Sequence, residues 1–477
     1  MKKYNPLDST KHEDLEKNDD LKKEIPNSND CTLKKIIICL LKKICILLIS
    51  FSLLMVLFFV LFFMEIKEKK SVKEKKFTKR EIEIAKYNTV IKLNNIKLPL
   101  SKSNESYDDE CLYTFYNFTY NFFKDIGYTH FSPISLYGVL INIYMAISDK
   151  ELSELLNNIL GLSNDERIIF YTKIFNKNNF KNLDDEIKIS NGAFYNSDRV
   201  TENISFIEQM SKTYTECYKL SYKKDYNFII EWIKKSLKDN EDSFKDNFDN
   251  NNDKIGILFY SNLYYKQKWN TKFSDSETYK DIFYIDNNNK KEVVYMKHSY
   301  QTFHYCDYDK YISFYDYYNN YYIIQYIVPK SINDNILDLV DNKNFILEDE
   351  YCEIPHSYII LSVPKFKIDN EIDFVPILKK IGFEKLFNKN YSTLNNPFII
   401  RNDINYCLDK LLQKNQIELN EDGTTIKSKT IGTGGAYVKS ASKDDRGVEV
   451  KLNQPFIYII RDRNNLPIFM GYIKEPK

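Results

Sequence analysis

Residues able to do acid–base, nucleophilic or metal chemistry are sparse in this chain and badly spaced for it. The histidines His12, His130, His298, His304 and His356 show no spacing that would put two ligands on one helix face. His298, His304 and Cys306 come nearest to a ligand set, but they show no metal-site spacing, so no metal is expected. GxGxxG, Walker, HExxH and GxSxG patterns are all absent from the sequence, which argues against a nucleotide cofactor or a resident catalytic group. No catalytic residue and no cofactor is therefore expected, and an enzyme on a membrane stalk has little support. Cys111, Cys217, Cys306, Cys352 and Cys407 lack paired spacing, which predicts buried small hydrophobes in place of a disulfide framework. Sequons at Asn104, Asn117, Asn203 and Asn390 carry little weight in a chain this rich in Asn.

With so little side-chain chemistry, the elements must carry the function. Lys plus Arg (68) nearly cancels Asp plus Glu (67), so no strong field exists to hold nucleic acid, and no nucleic-acid partner is expected. From Ile44 to Met64 run 21 residues without a charge. As a helix they reach about 31 Å, the thickness of a bilayer's hydrocarbon core. The flanking lysines and the long segment before the run favour an uncleaved signal anchor over a cleaved signal peptide. Residues 1–43 then read as a disordered tail, 44–64 as a transmembrane anchor, 65–107 as a charged linker and 108–477 as the folded domain.

Within that domain, residues 108–235 alternate amphipathic segments with short breaks. Helices are predicted at Leu112 to Ile126, after Ser132 with Pro133 at the first helical position, and through KELSELLNNILGL. From Ile255 onward, aromatic and β-branched runs such as IGILFYSNLYY, YYIIQYIVP and YIILSVPKFKI read as strands. A further helix is predicted at Phe374 to Ile381, and PFIYII and LPIFMGYI are predicted to close the chain as strands. Helices first and strands later give an α+β domain.

The domain resembles the serpins from about residue 108 to Pro476. FSPISLYGVL is similar to the start of that family's central helix, and SNLYYKQKW, ending at Trp269, to the strand before its sheet-opening tryptophan. VPKFKI and KKIGFEKLF are similar to a later strand and helix. IELNEDGTT resembles the hinge of the reactive loop, and QPFIYIIRDRNNLPIFMGYIKEP the terminal strand pair. The resemblance implies helices around a large mixed sheet with two smaller sheets. It also implies suicide inhibition of a serine or cysteine protease, in which the cleaved loop enters the main sheet as a new strand. The alternative is a non-inhibitory serpin acting as a binding, carrier or chaperone module.

The loop, about 421–447, meets the physical demand of insertion. Successive side chains of a strand face opposite sides, and Thr424, Ile426, Ser428, Thr430, Gly432, Gly434 and Ala436 form one uncharged face. Lys427 and Lys429 fall on the other, where they avoid the several kcal/mol that an unpaired buried charge costs. The hinge implied by the resemblance is Glu421, Asp422, Gly423, Thr424, Thr425, Ile426 and Ser428. Its sheet-opening region would comprise Ser132, Ser135, Ser261, Trp269 and Gln413, with Ser261 and Gln413 standing where relatives carry Asn and His. Gly423 lies 32 residues before Pro455, about seven more than the family expectation. Counting from the hinge puts the scissile bond at Tyr437–Val438, with Lys439–Ser440 as the nearby alternative. The positive-inside rule alone would put the domain in the cytosol, whereas resemblance to a largely secreted family favours the lumen or cell exterior, or secretion after processing.

Overall fold

A computed structural model describes residues 86–96, 106–181, 185–238, 256–300, 304–339, 359–399, 404–426 and 448–476. The chain divides into Met1–Ile82 and Glu83–Lys477, and every described residue belongs to the second unit. The expected anchor at 44–64, Ser428 and the bonds at 437–440 lie outside the described residues, among which no helix is long and apolar enough to cross a membrane.

Helix α1 (Asp109–Asp125) starts where the Asp108 carboxylate accepts from Glu110 N, and its acidic first turn and Lys124 in the last turn complement the helix dipole. Phe115, Phe118 and Phe122 recur at helical spacing and are buried. Helix α2 (Pro133–Ala146) is capped by Ser132 with Pro133 at its start, and it is buried on almost every side, as a helix sandwiched between sheets must be. Helix α3 (Lys150–Leu160) buries Leu152, Leu156 and Leu160. A capping box between Ser163 and Glu166 opens α4 (Asn164–Lys177). Two further helices, α5 (Ile204–Lys212) and α6 (Asn227–Leu237), complete the longer ones.

Strands are numbered in chain order. The main sheet holds β1 (Ile91–Lys92), β2 (Phe180–Lys181), β3 (Glu186–Asn196), β4 (Thr215–Leu220), β5 (Ile257–Lys268), β12 (Phe366–Asp373), β13 (Leu412–Asn420) and β14 (Gly423–Ile426). Its order is β1-β4-β3-β5-β14-β13-β12, with β2 beside β3, and it mixes parallel with antiparallel pairs. A second sheet runs β17-β16-β10-β9-β8 and a third β15-β11-β7-β6. The second is built from β8 (Tyr305–Asp307), β9 (Tyr311–Tyr317), β10 (Ile323–Pro329), β16 (Phe456–Arg461) and β17 (Pro467–Ile473). The third comprises β6 (Tyr279–Tyr284), β7 (Lys290–Tyr300), β11 (Ile359–Pro364) and β15 (Val448–Lys451). One core joins α2 to the main and second sheets, while a smaller one under α6 stacks Phe194, Tyr218, Phe228 and Trp232 on the opposite face.

Several expectations change. The order of helices first and strands later fails at β3 and β4, which lie in the first half yet sit centrally in the main sheet. YIILSVPKFKI splits at Lys365 into strands of two different sheets. The helix expected at Phe374 to Ile381 is α-helical over Val375–Leu378, continues as a π-helical turn over Lys379–Phe383, and kinks at Ile381 and Gly382, the φ of +105° at Gly382 favouring glycine. Within the expected 65–107 linker, the described residues pack on the domain: Ile91 pairs with Lys219, and Thr89 Oγ1 donates to Asp225 at 2.5 Å. Cys306 is disulfide-bonded, against the expectation of thiols throughout, whereas Cys111, Cys217 and Cys407 are free.

Candidate functional site: an open sheet and the strand that enters it

The hinge residues form a strand inside the main sheet. β14 pairs antiparallel with β13 on one side (Thr424↔Leu419) and with β5 on the other (Thr424↔Gln267). At its first position Gly423 has φ +153°, and a Cβ there would stand 2.1 Å from Gln267 O. Only glycine fits this approach. Thr424 is fully buried, and its hydroxyl shares a 2.5 Å hydrogen bond with Tyr318 Oη. Thr425, on the opposite side, is half-buried. Thr424 is the first residue of the uncharged face; its members from Ser428 to Ala436 lie outside the described residues. Ile426 pairs with Tyr265 along the backbone.

The turn into β14 is clamped to the segment after β5. Trp269 stacks on Tyr318 with centroids 4.5 Å apart, and its Nε1 donates to Asn420 O at 2.8 Å. Trp269 N donates to Asp422 O, and Phe273 N to Glu421 O. Glu421 accepts from Lys365 Nζ at 2.9 Å and from Thr278 Oγ1 at 2.8 Å. Burial alone would raise the Glu421 carboxyl, but the bonds from Lys365 and Thr278 hold it below its ordinary value. Asp422 pairs with Lys272 at 2.8 Å, which raises the Lys272 ammonium above its usual range.

Below β14 the sheet parts. Among the described residues, β5 below Tyr265 and β13 below Glu418 have no ladder between them, although each keeps its outer neighbour. The gap holds a cavity of about 620 Å³ reaching from Ile233 and Leu237 of α6 on one face to Leu136 and Val139 of α2 on the other. Strand edges that expose unpaired backbone groups are templates for another strand.

At mid-height of the gap, Gln413 clamps the start of α2: its Oε1 accepts from Ser132 N at 2.9 Å and its Nε2 donates to Ser132 O at 3.0 Å. Ser132 Oγ donates to Ile468 O at 3.1 Å and can accept from Ser135 Oγ at 3.2 Å. Asn415 and Asn370 both donate to His130 O. Ser261 lines the gap, but its Oγ reaches no partner across it. Asn262 points to the other face and donates to Ser236 Oγ of α6 at 2.7 Å.

The structure thus separates the sequence candidates into two groups. Ser132, Ser135 and Gln413 meet at mid-gap with Ser261 across from them, while Trp269 belongs with Glu421 through Thr425 at the top. Sequence reasoning missed Tyr318, Lys365, Thr278, Lys272 and Asn415. Asn415 was findable, since it lies two residues from Gln413 on the same strand face; the others meet the hinge only through the fold.

Comparison with known proteins agrees with this geometry. The family model described as Serpin (serine protease inhibitor) matches residues 115–476. An uncharacterized serpin-like protein, R700, of Acanthamoeba polyphaga mimivirus is 27% identical over 83% of this chain and 96% of its own length. Serine proteinase inhibitor 1 of monkeypox virus is 23% identical over 59% of this chain and 78% of its own. Among solved structures, tengpin, a thermophilic serpin in its native state, superposes with a TM-score of 0.68 at 21% identity, covering 81% of this chain and all of its own.

Proposed function

The chain belongs to the serpin family, and from that premise we propose that it inhibits a serine or cysteine protease as a single-use substrate. The observation that supports this reading above others is β14, already seated between β5 and β13 above an open gap. The protease supplies the nucleophile. Its oxygen or sulfur attacks the carbonyl carbon of Tyr437, the bond to Val438 breaks, and the departing amine takes the proton. An acyl bond then joins Tyr437 to the protease.

Released at that bond, the loop continues the register that β14 begins. Ile426 then lies opposite Ile417 and Tyr265, Ser428 opposite Asn415 and Leu263, and Thr430 opposite Gln413 and Ser261. Apolar meets apolar, and hydroxyl meets amide. Lys427 and Lys429 fall on the α6 side, away from α2. The 14 steps from Gly423 to Tyr437 carry the protease about 46 Å at ~3.3 Å per residue.

A second reading, a non-inhibitory serpin acting as a binding, carrier or chaperone module, draws support from the mid-gap. Gln413 turns both amide groups to Ser132, so no hydrogen bond ties it to Ser261. Both readings leave the chain without catalytic residues of its own. We also take 44–64 as a membrane anchor with the domain lumenal or extracellular. The uncharged run supports the first part, and the disulfide at Cys306 the second, since such bonds persist in oxidising compartments.

Incubation with chymotrypsin-like and trypsin-like proteases separates the readings. A complex surviving denaturing electrophoresis is expected with the chymotrypsin-like enzyme, with Tyr437 as the new carboxyl terminus. A complex with only the trypsin-like enzyme would move the bond to Lys439–Ser440. Cleavage without any complex would favour the carrier reading.

A further inference from the structure

Residues 86–94 lie ahead of the region matched by the family model, yet they are tied to the domain at nearly every position. Thr89 is the centre of the attachment. Its amide donates to Asp225 Oδ2 at 2.6 Å, its hydroxyl donates to the same oxygen, and Ser221 N donates to that hydroxyl at 2.9 Å. Ser221 and Asp225 bound the helical turn Tyr222–Asp225, which runs directly into α6. Upstream, the Tyr87 ring meets Phe228 edge-on at 5.3 Å, and Lys86 pairs with Glu231. That ion pair is about half exposed on both sides and adds little; Asp225 is buried, so the Thr89 bonds carry more. Val90 is buried in the small core under α6. Downstream, β1 pairs with β4, and the Asn94 side chain carries the ladder on: its Oδ1 accepts from Cys217 N at 2.9 Å and its Nδ2 donates to Thr215 O at 3.0 Å. The segment therefore joins the edge of the main sheet to the start of α6.

Helix α6 is in turn the roof of the gap. Ile233 and Leu237 in its second half line the opening, and Asn262 of β5 donates to Ser236 Oγ. Any strand that joins β5 below Tyr265 has to pass beneath these side chains, so α6 must lift to admit it. Lifting the start of the helix breaks the Thr89 bonds and leaves the buried Asp225 carboxylate short of donors, which is costly.

We propose that residues 86–94 are a strap that seats α6 on the main sheet, and that the gap opens to a strand only as fast as the strap lets go. The order of its contacts gives it a direction. A pull on the chain ahead of residue 86 reaches the bonds to α6 before it reaches the β1 pairing, so the strap peels from the roof first. Its hold on α6 does not depend on protease inhibition; only its effect on trapping rests on that reading.

Hydrogen exchange of the full chain tests the strap without any protease. T89V keeps the shape of the side chain but removes its hydroxyl from Asp225 and Ser221. In that variant the α6 amides 229–237 and the β5 amides 258–263 are expected to exchange at least tenfold faster. T89S, which keeps the hydroxyl, should exchange as the native chain does, and the β16 amides should be unchanged in both. Native exchange of α6 in T89V would overturn the proposal, and so would an equal acceleration in β16, the mark of a domain loosened throughout. Should T89V fail to fold, Y87A removes the ring from Phe228 at the outer end of the strap and is read by the same outcomes. On standing, intact T89V is expected to lose its capacity for covalent complex formation at least tenfold faster than the native chain; equal rates would refute control of the gap. Absence of a complex from both proteins would sink the inhibitory reading alone, and the exchange result then decides the strap.

Discussion

At the scale of single residues, the hinge depends on Thr424. Its side chain is fully buried, and its hydroxyl completes that of Tyr318. An arginine there would have to bring a charge into a site that water does not reach, at a cost of several kcal/mol. The hinge is therefore expected to leave the sheet in T424R, and protease attack to end in simple cleavage. Gel densitometry should show the fraction trapped as covalent complex falling at least tenfold, with the rate of loop cleavage unchanged. T424V, which keeps the shape but strands the Tyr318 hydroxyl, should trap with an intermediate yield, since an unpaired buried hydroxyl costs about 1–3 kcal/mol. Thr424 was legible because alternation is a local property: a charge-free face can be counted along the chain. Tyr318 was not, because it lies 106 residues away and nothing in its own neighbourhood marks it. The destination of Gln413 was half legible: an amide could be expected beside Ser132, but its use of that residue's backbone is set by how β13 meets the start of α2.

Among the elements, β14 is four residues long and would not persist without its clamp. Glu421 with Lys365 and Thr278, and Asp422 with Lys272, fix the turn from which it departs. Removing one charged partner from such a half-buried set costs about 1–2 kcal/mol. In E421Q the amides of Thr424 and Thr425 are accordingly expected to exchange with solvent about ten times faster, since about 1.4 kcal/mol of local opening corresponds to tenfold. Exchange at the β16 amides should be unaffected. The pH dependence has a definite sign. Because the Glu421 carboxyl is held below its ordinary value of 4.5, its contribution is complete above that value and is lost as pH falls through the lower folded value. Hinge protection in the native protein should thus be flat near neutrality and weaken only on strong acidification, and E421Q should not share that loss. The strands of the second and third sheets were legible as aromatic and β-branched runs. β3 and β4 were not, because Glu186–Asn196 reads EIKISNGAFYN, with polar residues and a glycine in a central strand. Gly192 sits where a Cβ would meet the Phe194 and Trp232 rings within 3.0 Å, a demand made by the overlying α6 and invisible along the chain.

On the scale of the whole molecule, among the described residues the main sheet has no strand between β5 below Tyr265 and β13 below Ile417. β3 pairs with β5 over ten positions, from Glu186↔Lys266 to Tyr195↔Ile257, so β5 is anchored on that side along nearly its full length. On the gap side, among the described residues, it meets β14 at four positions, Lys268 to Tyr265. Completing the strand would let the remaining backbone groups of β5 and β13 exchange water for each other through the inserted loop. At about 0.5–1.5 kcal/mol per net hydrogen bond, about eight further residues bonded on both sides offer on the order of 10 kcal/mol. For a domain of this size a kilocalorie moves the midpoint by about 1.3 °C. The loop-cleaved protein is therefore expected to melt on the order of 10 °C above the intact one in differential scanning calorimetry. Cleaved T424R, whose hinge cannot enter, should melt with the intact form. Equal midpoints for the intact and cleaved native sequence would mean that β14 is a fixed short strand and the gap a permanent feature, which is the behaviour of a carrier and not of a trap.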